Sequence, residues 1–324
     1  MKKFKNIVVV CLLAFVTLVS GCQSNAESAQ VVIYSNADEE AIEIMKKALD
    51  SNGFEGEYII QAFGTSELGG KLLAEGNNIE ADVVTMSSFY LDSAQDTSTM
   101  FKDLEFDVNT LDEVPSYYAP ITAQEGAIII NTEMMKEEGL TTPTSLKDLA
   151  KPEYKGYISV TDISSSSTAW LLIQGLITEY GEEEAKEILR GIYDNAGDHI
   201  EESGSAPLKK ARAGEVAIGF GLRHQAVADK EAGLPIDYVD PSEGTFYLTE
   251  GISVVDKGED TNPKAMEMAE CIINEGRKDL LDFYPMALYE GEESSEDVSN
   301  VKKFKEHLTV DLLEQHQKLS EESK

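Results

Sequence analysis

The chain has 324 residues and a formal net charge of −33, from 60 acidic and 27 basic side chains. Such an acidic chain is a poor partner for nucleic acid, because phosphate backbones attract clustered lysine and arginine. The same charge repels an anionic ligand at long range, so only local groups could capture one. At this length, two domains of ordinary size are expected.

The N-terminus has the organisation of a bacterial export signal. Three lysines precede an apolar run over 7–19, which is too short to span a bilayer comfortably. The run ends in the sequence Val-Ser-Gly-Cys22, which resembles a lipobox. We therefore predict a signal peptide over 1–21, lipid on Cys22, a tether over 22–30 and an anchored location on the extracytoplasmic face of the cell membrane. An ordinary secretory signal or a signal anchor is the alternative.

The three cysteines are not expected to form a disulfide within the chain. Cys11 would leave with the signal peptide, and Cys22 would carry lipid. Cys271 then stands alone, and its neighbours predict a packed core thiol.

Beyond the tether, strands and helices alternate. The predicted order is strand 31–35, helix 37–51, strand 57–63, helix 66–76 and strand 81–86. In the first of these helices, Ile42, Met45 and Leu49 recur at helical spacing. Such alternation indicates βαβ units and a parallel sheet.

The second half of the chain repeats this alternation in a less regular form. We predict a long strand over 121–131 with a turn signal inside it, a strand over 157–162 and a helix opened by the serine run at 164–168. An amphipathic helix over 182–195, strands over 214–221 and 244–255, and a helix beginning near Pro263 follow. The fold class is α/β with two lobes.

Hydroxyl and amide side chains follow several predicted strands. They are Ser35 and Asn36, Thr65 and Ser66, Ser87, the run Ser166, Ser167 and Thr168, and the turn at 203–205. Ligands bind open parallel sheets outside the carboxyl ends of the strands, where helix N-termini present free N–H groups. Any one of these residues could be an ordinary helix cap. Their recurrence at one topological position predicts an anion site.

Together, these segments carry a family resemblance. The main matches are VVIYS, GTSELGGKLLAEGNNIEADVV, GAIIINTEMMKEEGL, TPTSLKDLAKPEYKGYISVTD, SSTAW, GEVAIGF and DPSEGTFYLTEGISVV, in this order along nearly the whole mature chain. The chain resembles extracytoplasmic solute-binding lipoproteins of ABC importers, in the branch with ferric-iron, sugar-phosphate and 2-aminoethylphosphonate binders.

The resemblance implies a type II periplasmic-binding-protein fold, in which two lobes close on a ligand like a Venus flytrap. Lobe 1 would comprise 31–121 and 250–324, and lobe 2 would comprise 122–249. Hinge strands would cross between the lobes near 120–128 and 247–255. The implied partners are a small anionic solute and the importer's permease and ATPase subunits, and we expect a monomer.

The resemblance also implies a set of site residues. The family's phosphate-binding turns map onto Ser35, Thr65, Ser66, Ser87, Ser166, Ser167 and Thr168, with Ser167 in place of a family glycine. Ferric members carry a tyrosine pair where this chain has Arg223 and His224, which suit an anion. Glu243 is a further ligand candidate, and Glu67, Asp162 and Glu250 are other carboxylates that could hold a hydroxyl or an ammonium group.

The expected ligand is an organophosphonate such as 2-aminoethylphosphonate, or a sugar phosphate. Ferric ion is the alternative ligand, and polyamines and simple carboxylates rank below it. The sequence predicts no resident cofactor and no metal site, because its four histidines are scattered. Neither an enzyme nor a surface adhesin is indicated, since catalytic motifs, repeats and coiled-coil heptads do not stand out.

Overall fold

A computed structural model describes residues 30–294 and 301–324. The predicted signal peptide and Cys22 lie outside the described residues. In the described part, Cys271 is a buried free thiol, as the sequence predicts. No described helix is long and apolar enough to cross a bilayer.

The described strands are β1 (Val31–Ser35), β2 (Tyr58–Ala62), β3 (Val83–Ser87), β4 (Ala119–Asn131), β5 (Ile158–Thr161), β6 (Ile200–Glu201), β7 (Ile218–Leu222), β8 (Ile236–Val239), β9 (Thr245–Val254) and β10 (Val301–Lys302). All seven predicted strands are present among the described residues, and three short strands, β6, β8 and β10, were not predicted. The agreement arises because β1, β3, β5 and β7 are almost wholly buried apolar runs, as expected for strands covered on both faces.

Helices separate most of these strands. They are α1 (Glu39–Ser51), α2 (Thr65–Glu75), α3 (Ser88–Ser98), α4 (Thr132–Glu137), α5 (Thr168–Tyr180), α6 (Glu182–Ala196), α7 (Ala206–Arg212), α8 (Arg223–Glu231), α9 (Pro263–Cys271), α10 (Arg277–Phe283) and α11 (Val310–Glu321). In α1, Ile42, Met45 and Leu49 are buried, as their spacing predicts. Pro263 opens α9 behind the capping side chain of Asn262, as the sequence also predicts.

Two long strands join the two lobes of the molecule. The first lobe is built on the strand order β2-β1-β3-β9-β4, and the second on β4-β7-β5-β6, with β8 also paired to β4. The first half of β4 pairs with β9, whereas its second half pairs with β7 and β8. The β1–β2, β1–β3, β5–β6 and β5–β7 pairs are parallel, and β9 runs antiparallel to both β3 and β4. The predicted α/β fold with crossing strands is therefore confirmed.

The long strand predicted over 121–131 is confirmed as β4, which is continuous from Ala119 to Asn131, so the turn signal inside it does not form a turn. Gly126, which gave the turn signal, serves close packing instead. A Cβ atom at this position would lie 2.6 Å from Phe220 Cζ and 3.1 Å from Leu171 Cβ. The glycine therefore lets α5 and β7 approach the crossing strand.

The C-terminal helix contacts helices of both lobes. It packs against α3 of the first lobe and against α5 and α6 of the second. Trp170 Nε1 in α5 donates a hydrogen bond to His316 Nδ1 at 2.7 Å, and both side chains are buried. Lys324 Nζ, just beyond the helix, reaches Asp162 Oδ2 at 2.8 Å, at the end of β5. The segment assigned to lobe 1 from sequence thus also supports the second lobe.

Candidate functional site

A cavity of about 300 Å³ lies between the two lobes. Its lining comes from the carboxyl ends of β1, β2 and β5, from the turn before α7, and from the crossing strands. The lining residues are Asn36, Ala37, Asp38, Phe63, Gly64, Thr65, Gln124, Ser165, Ser166, Ser167, Thr168, Glu202, Ser203, Gly204, Leu222 and Glu250. Because both lobes contribute, this is the place where lobe closure would enclose a small solute.

One side of the cavity is formed by hydroxyl groups at helix N-termini. Thr65 opens α2, and its N-cap is Gly64, which has no side chain to cap the helix. Thr168 opens α5, where Ser167 is the N-cap and makes no capping hydrogen bond. The first intrahelical bond of α2 runs from Leu68 N to Gly64 O, so the preceding amides have no partner within the helix. This side therefore presents hydroxyl and amide donors.

The serine run and the turn before α7 are packed tightly together. Ser166 Oγ donates to Thr168 Oγ1 at 3.4 Å. A Cβ atom at Gly204 would lie only 2.1 Å from Thr168 Oγ1 and 3.2 Å from Ser166 Oγ. The glycine is thus required for the turn to approach the hydroxyl pair.

The other side of the cavity carries carboxylates. Asn36 Nδ2 donates to Glu250 Oε1 at 2.9 Å and to Thr65 Oγ1 at 3.2 Å, which links the two sides. Burial and the nearby charge of Asp38 raise the pKa of Glu250 from 4.5 to about 7. Burial and the charge of Glu40 raise the pKa of Asp38 from 3.8 to about 6, against an opposing effect of Lys209. The charged forms of these two acids are therefore poorly compensated by the chain itself.

Seven of the predicted site residues lie at or beside the cavity. Thr65, Ser166, Ser167 and Thr168 line it. Ser35 is fully buried beneath it, where its Oγ accepts hydrogen bonds from Ala37 N at 3.1 Å and Thr85 Oγ1 at 2.6 Å. Ser87 is the register partner of Glu250 across β3 and β9, and Ser66 follows Thr65 in the first turn of α2.

Arg223 and His224 are not among the lining residues. Arg223 Nε donates to Asp240 Oδ1 at 2.8 Å, and Glu125 lies 3.8 Å away, so its charge is already balanced. His224 is buried against Tyr284, with ring centroids 4.3 Å apart, and desolvation lowers its pKa to about 3. A neutral histidine in this position packs the lobes together and offers no positive charge to an anion.

Glu243 also lies outside the cavity. Its carboxylate accepts hydrogen bonds from Leu146 N at 2.9 Å, Lys147 N at 3.2 Å and Tyr180 OH at 2.8 Å. It therefore caps the turn at 147–150 and ties this turn to α5. Of the other acidic candidates, Glu67 is exposed on α2, and Asp162 bonds Ser164 N at 2.8 Å.

Sequence reasoning missed Asp38, Phe63, Gln124, Glu202 and Leu222 as lining residues. For Asp38 a signal was present, because it stands between β1 and α1, at the same kind of strand end as the hydroxyl turns. Gln124 lies inside β4, and Leu222 is the last residue of β7. Only the folded structure shows that these two residues line the cavity.

Residues 43–277 match the family described as bacterial extracellular solute-binding protein. The chain belongs to this family. Binding proteins of this family bind small solutes and deliver them to ABC permeases. The interlobe cavity of this solute-binding protein is thus the natural candidate for its ligand site.

Its relatives carry different ligands in their names. The chain is 28% identical over 232 residues to an Fe(3+)-binding periplasmic protein of Serratia marcescens, covering 68% of this chain and 65% of that one. It is 28% identical over 210 residues to a spermidine/putrescine-binding periplasmic protein of Escherichia coli K12, covering 60% and 57%. The matches thus span less than two thirds of these two relatives.

A similar solved structure is the periplasmic binding protein AfuA from Actinobacillus pleuropneumoniae with fructose-6-phosphate bound. The TM-score is 0.73 at 22% identity, with 90% of this chain and 93% of that one covered. At this identity the likeness establishes the shared two-lobed fold.

Proposed function

We propose that this solute-binding protein captures a small organophosphonate, such as 2-aminoethylphosphonate, or a sugar phosphate, by closing its lobes around the cavity. The closing segments would be 31–121 with 250–324 on one side and 122–249 on the other. The observation that carries the proposal is that Thr65, Ser166 and Thr168, which lie at two helix N-termini, line one cavity between the lobes.

Such a lining suits a phosphate or phosphonate group on physical grounds. Helix N-termini combine unpaired N–H donors with a partial positive charge, and hydroxyl groups add donors without adding charge. A volume of about 300 Å³ is at the small end for ligand pockets, which favours a compact solute. Closing the lobes stabilises the bound state by the difference between the ligand's affinities for closed and open forms.

The cellular setting belongs to the same proposal. Lipid on Cys22 would hold a monomer at the extracytoplasmic face of the membrane, near the permease and ATPase subunits that accept the solute. We propose a transport role without catalysis, because the residues that line the cavity include neither histidine nor cysteine, and their carboxylates and hydroxyls do not form a nucleophile–base pair among the described contacts.

Ferric ion is the second candidate ligand. Three carboxylates line the cavity, those of Asp38, Glu202 and Glu250, and hard oxygen donors suit Fe(III). The relative from Serratia marcescens favours the same alternative. Against it, no group of three or more His, Cys, Asp or Glu side chains in the described residues is arranged to hold a metal ion.

A thermal-shift screen would separate these candidates. We expect the chain that starts after Cys22 to gain thermal stability with one phosphonate or sugar phosphate, because a ligand that binds only the folded state stabilises it by mass action. The panel would hold 2-aminoethylphosphonate, inorganic phosphate, hexose phosphates, ferric citrate and spermidine. A shift with ferric citrate alone would replace the proposal by the iron alternative.

Replacing Ser166 and Thr168 together by alanine is expected to weaken binding of the phosphorylated or phosphonate ligand at least about tenfold, since two neutral hydrogen bonds are lost. The midpoint of thermal unfolding should change little. Ser93→Ala with Thr97→Ala is the matched control, because these hydroxyls bond only backbone carbonyls of α3. Unchanged affinity in the cavity variant would remove the anion-site assignment.

A further inference from the structure

Glu250 is a buried carboxylate that lacks a full set of partners. Its side chain lines the cavity, and the residue is only 3% exposed. Oε1 accepts a hydrogen bond from Asn36 Nδ2, whereas Oε2 has no hydrogen-bond partner among the described residues. The Ser87 hydroxyl lies close enough to favour the charged form of Glu250 but not in bonding geometry with it. A buried acceptor in this state is costly unless something else binds it.

Two further acceptor atoms in the lining of the cavity also lack hydrogen-bond partners among the described residues. Asn36 Oδ1 and Asp38 Oδ2 are buried, and in the described part of the chain neither has a hydrogen-bond partner. Both residues line the same cavity as Glu250. The Asn36 amide is oriented by its Nδ2 bonds to Thr65 and Glu250, which leaves Oδ1 as the free end. Three acceptors are thus available, and an ammonium group has three N–H donors to match them.

The charge of the cavity points the same way. Three of the described lining residues are acidic, and none is a lysine or an arginine. Lys209 lines the adjoining cavity, and its charge only partly offsets the effect of burial on Asp38. Arg212, beside it, is bound at 2.7 Å to Asp229. The carboxylates of the cavity would therefore repel a dianionic phosphonate, and a positive charge on the same solute would reduce this repulsion.

We propose that Asp38, Glu250 and Asn36 form an ammonium subsite, so that the solute carries a cationic amine beside its phosphonate or phosphate group. This inference rests on the proposed function and narrows it. The single positive charge of the amine would offset part of the negative charge of the two carboxylates, while the hydroxyls of Thr65, Ser166 and Thr168 hold the anionic end. A phosphonate with an aliphatic amine, such as 2-aminoethylphosphonate, then fits better than a hexose phosphate, which brings no positive charge.

Calorimetric titration with three probes tests this subsite on the purified protein. The probes are 2-aminoethylphosphonate, ethylphosphonate, which lacks the amine, and putrescine, which lacks the phosphonate. We expect 2-aminoethylphosphonate to bind at least about 100-fold more tightly than ethylphosphonate, because a site built to bond a polar group rejects an analogue without it. In Glu250→Gln this preference should fall to about tenfold or less.

Controls keep the result interpretable. Glu67→Gln removes the same charge from an exposed position on α2 and should keep the full preference. Thermal melting checks that Glu250→Gln is folded, and Asp38→Asn provides a second variant with the same expected loss of preference.

The outcomes of the titration distinguish failure of the ammonium subsite from failure of the proposed function. Equal affinity for the two phosphonates would overturn the ammonium subsite and leave the proposed function intact. Binding of putrescine alone would overturn the anionic half of the proposed function, and it would support the subsite if Glu250→Gln abolished that binding. Failure of all three probes to bind would overturn both.

Discussion

Replacing Leu313 and His316 together by alanine is expected to lower the free energy of unfolding by about 5 kcal/mol. Leu313 in α11 is 3% exposed and belongs to the main hydrophobic core. Truncation of such a leucine leaves a cavity, and loss of His316 leaves the buried Trp170 Nε1 donor without its acceptor. The two losses are of different kinds, apolar packing for Leu313 and a buried hydrogen bond for His316, so the estimate takes their sum.

Denaturant unfolding followed by far-UV circular dichroism would measure this loss. Gln315→Ala with Lys318→Ala is the matched control, because both side chains are exposed on the same helix, and it should change stability by less than about 1 kcal/mol. Equal stability of the two double variants would mean that α11 does not belong to the folded core.

The same substitutions have a consequence for the ligand site. Gln317 Nε2 donates to Ile163 O at 3.4 Å, and Lys324 is paired with Asp162, so α11 holds the segment that leads into Ser166 and Thr168. Ligand affinity of the core variant should therefore fall even under conditions where it remains folded. The C-terminal helix thus positions one half of the site although none of its residues lines the cavity.

Much of the fold could be predicted because it depends on local patterns. The buried strands β1, β3 and β5 are short apolar runs that polar turns interrupt, and the spacing of Ile42, Met45 and Leu49 identifies α1. The local pattern failed at Gly126. Whether a glycine makes a turn or admits a neighbour depends on Phe220, a residue 94 positions away that only the strand pairing brings close.

In the candidate site, too, the residues that depend on local patterns could be predicted, and those that depend on distant segments could not. Thr65, Ser166 and Thr168 could be placed because helix N-termini follow strand ends in any α/β sheet. Arg223, His224 and Glu243 could not be interpreted, because their surroundings come from distant segments. Asp240 balances the charge of Arg223, and the ring of Tyr284 packs against His224. The backbone N–H of Leu146 donates a hydrogen bond to Glu243. Sequence shows a charged side chain but not the partner that neutralises it.

Replacing Glu250 by glutamine is expected to stabilise the ligand-free protein by about 3 kcal/mol at pH 8, and to have little effect at pH 4. The sign follows from the direction of the pKa shift. In the folded state the pKa of Glu250 is about 7, above the 4.5 of an ordinary glutamate, so the folded protein binds more protons than the unfolded chain. Its contribution to stability is therefore complete below pH 4.5 and is lost as the pH rises through 7.

The groups around Glu250 define how the measurement is made. Asp38 reinforces the effect, since its own pKa is raised to about 6, while Asn36 and Ser87 oppose it by favouring the charged carboxylate. His224 acts in the opposite pH range, because its pKa of about 3 lowers stability as the pH falls below 6.5. The difference between wild type and Glu250→Gln at each pH cancels the contribution of the histidine.

Urea unfolding at unit steps from pH 4 to pH 8, without ligand, would give this difference directly, with Glu67→Gln as the exposed control. A variant that is no more stable than wild type at pH 8 would show that the buried carboxylate is already compensated, and the ammonium subsite would lose its physical basis. If the expected curve is found, adding 2-aminoethylphosphonate should flatten the pH dependence of the wild type, because an ammonium group beside Glu250 lowers its pKa. The empty site is then destabilised by the same charge that selects the solute.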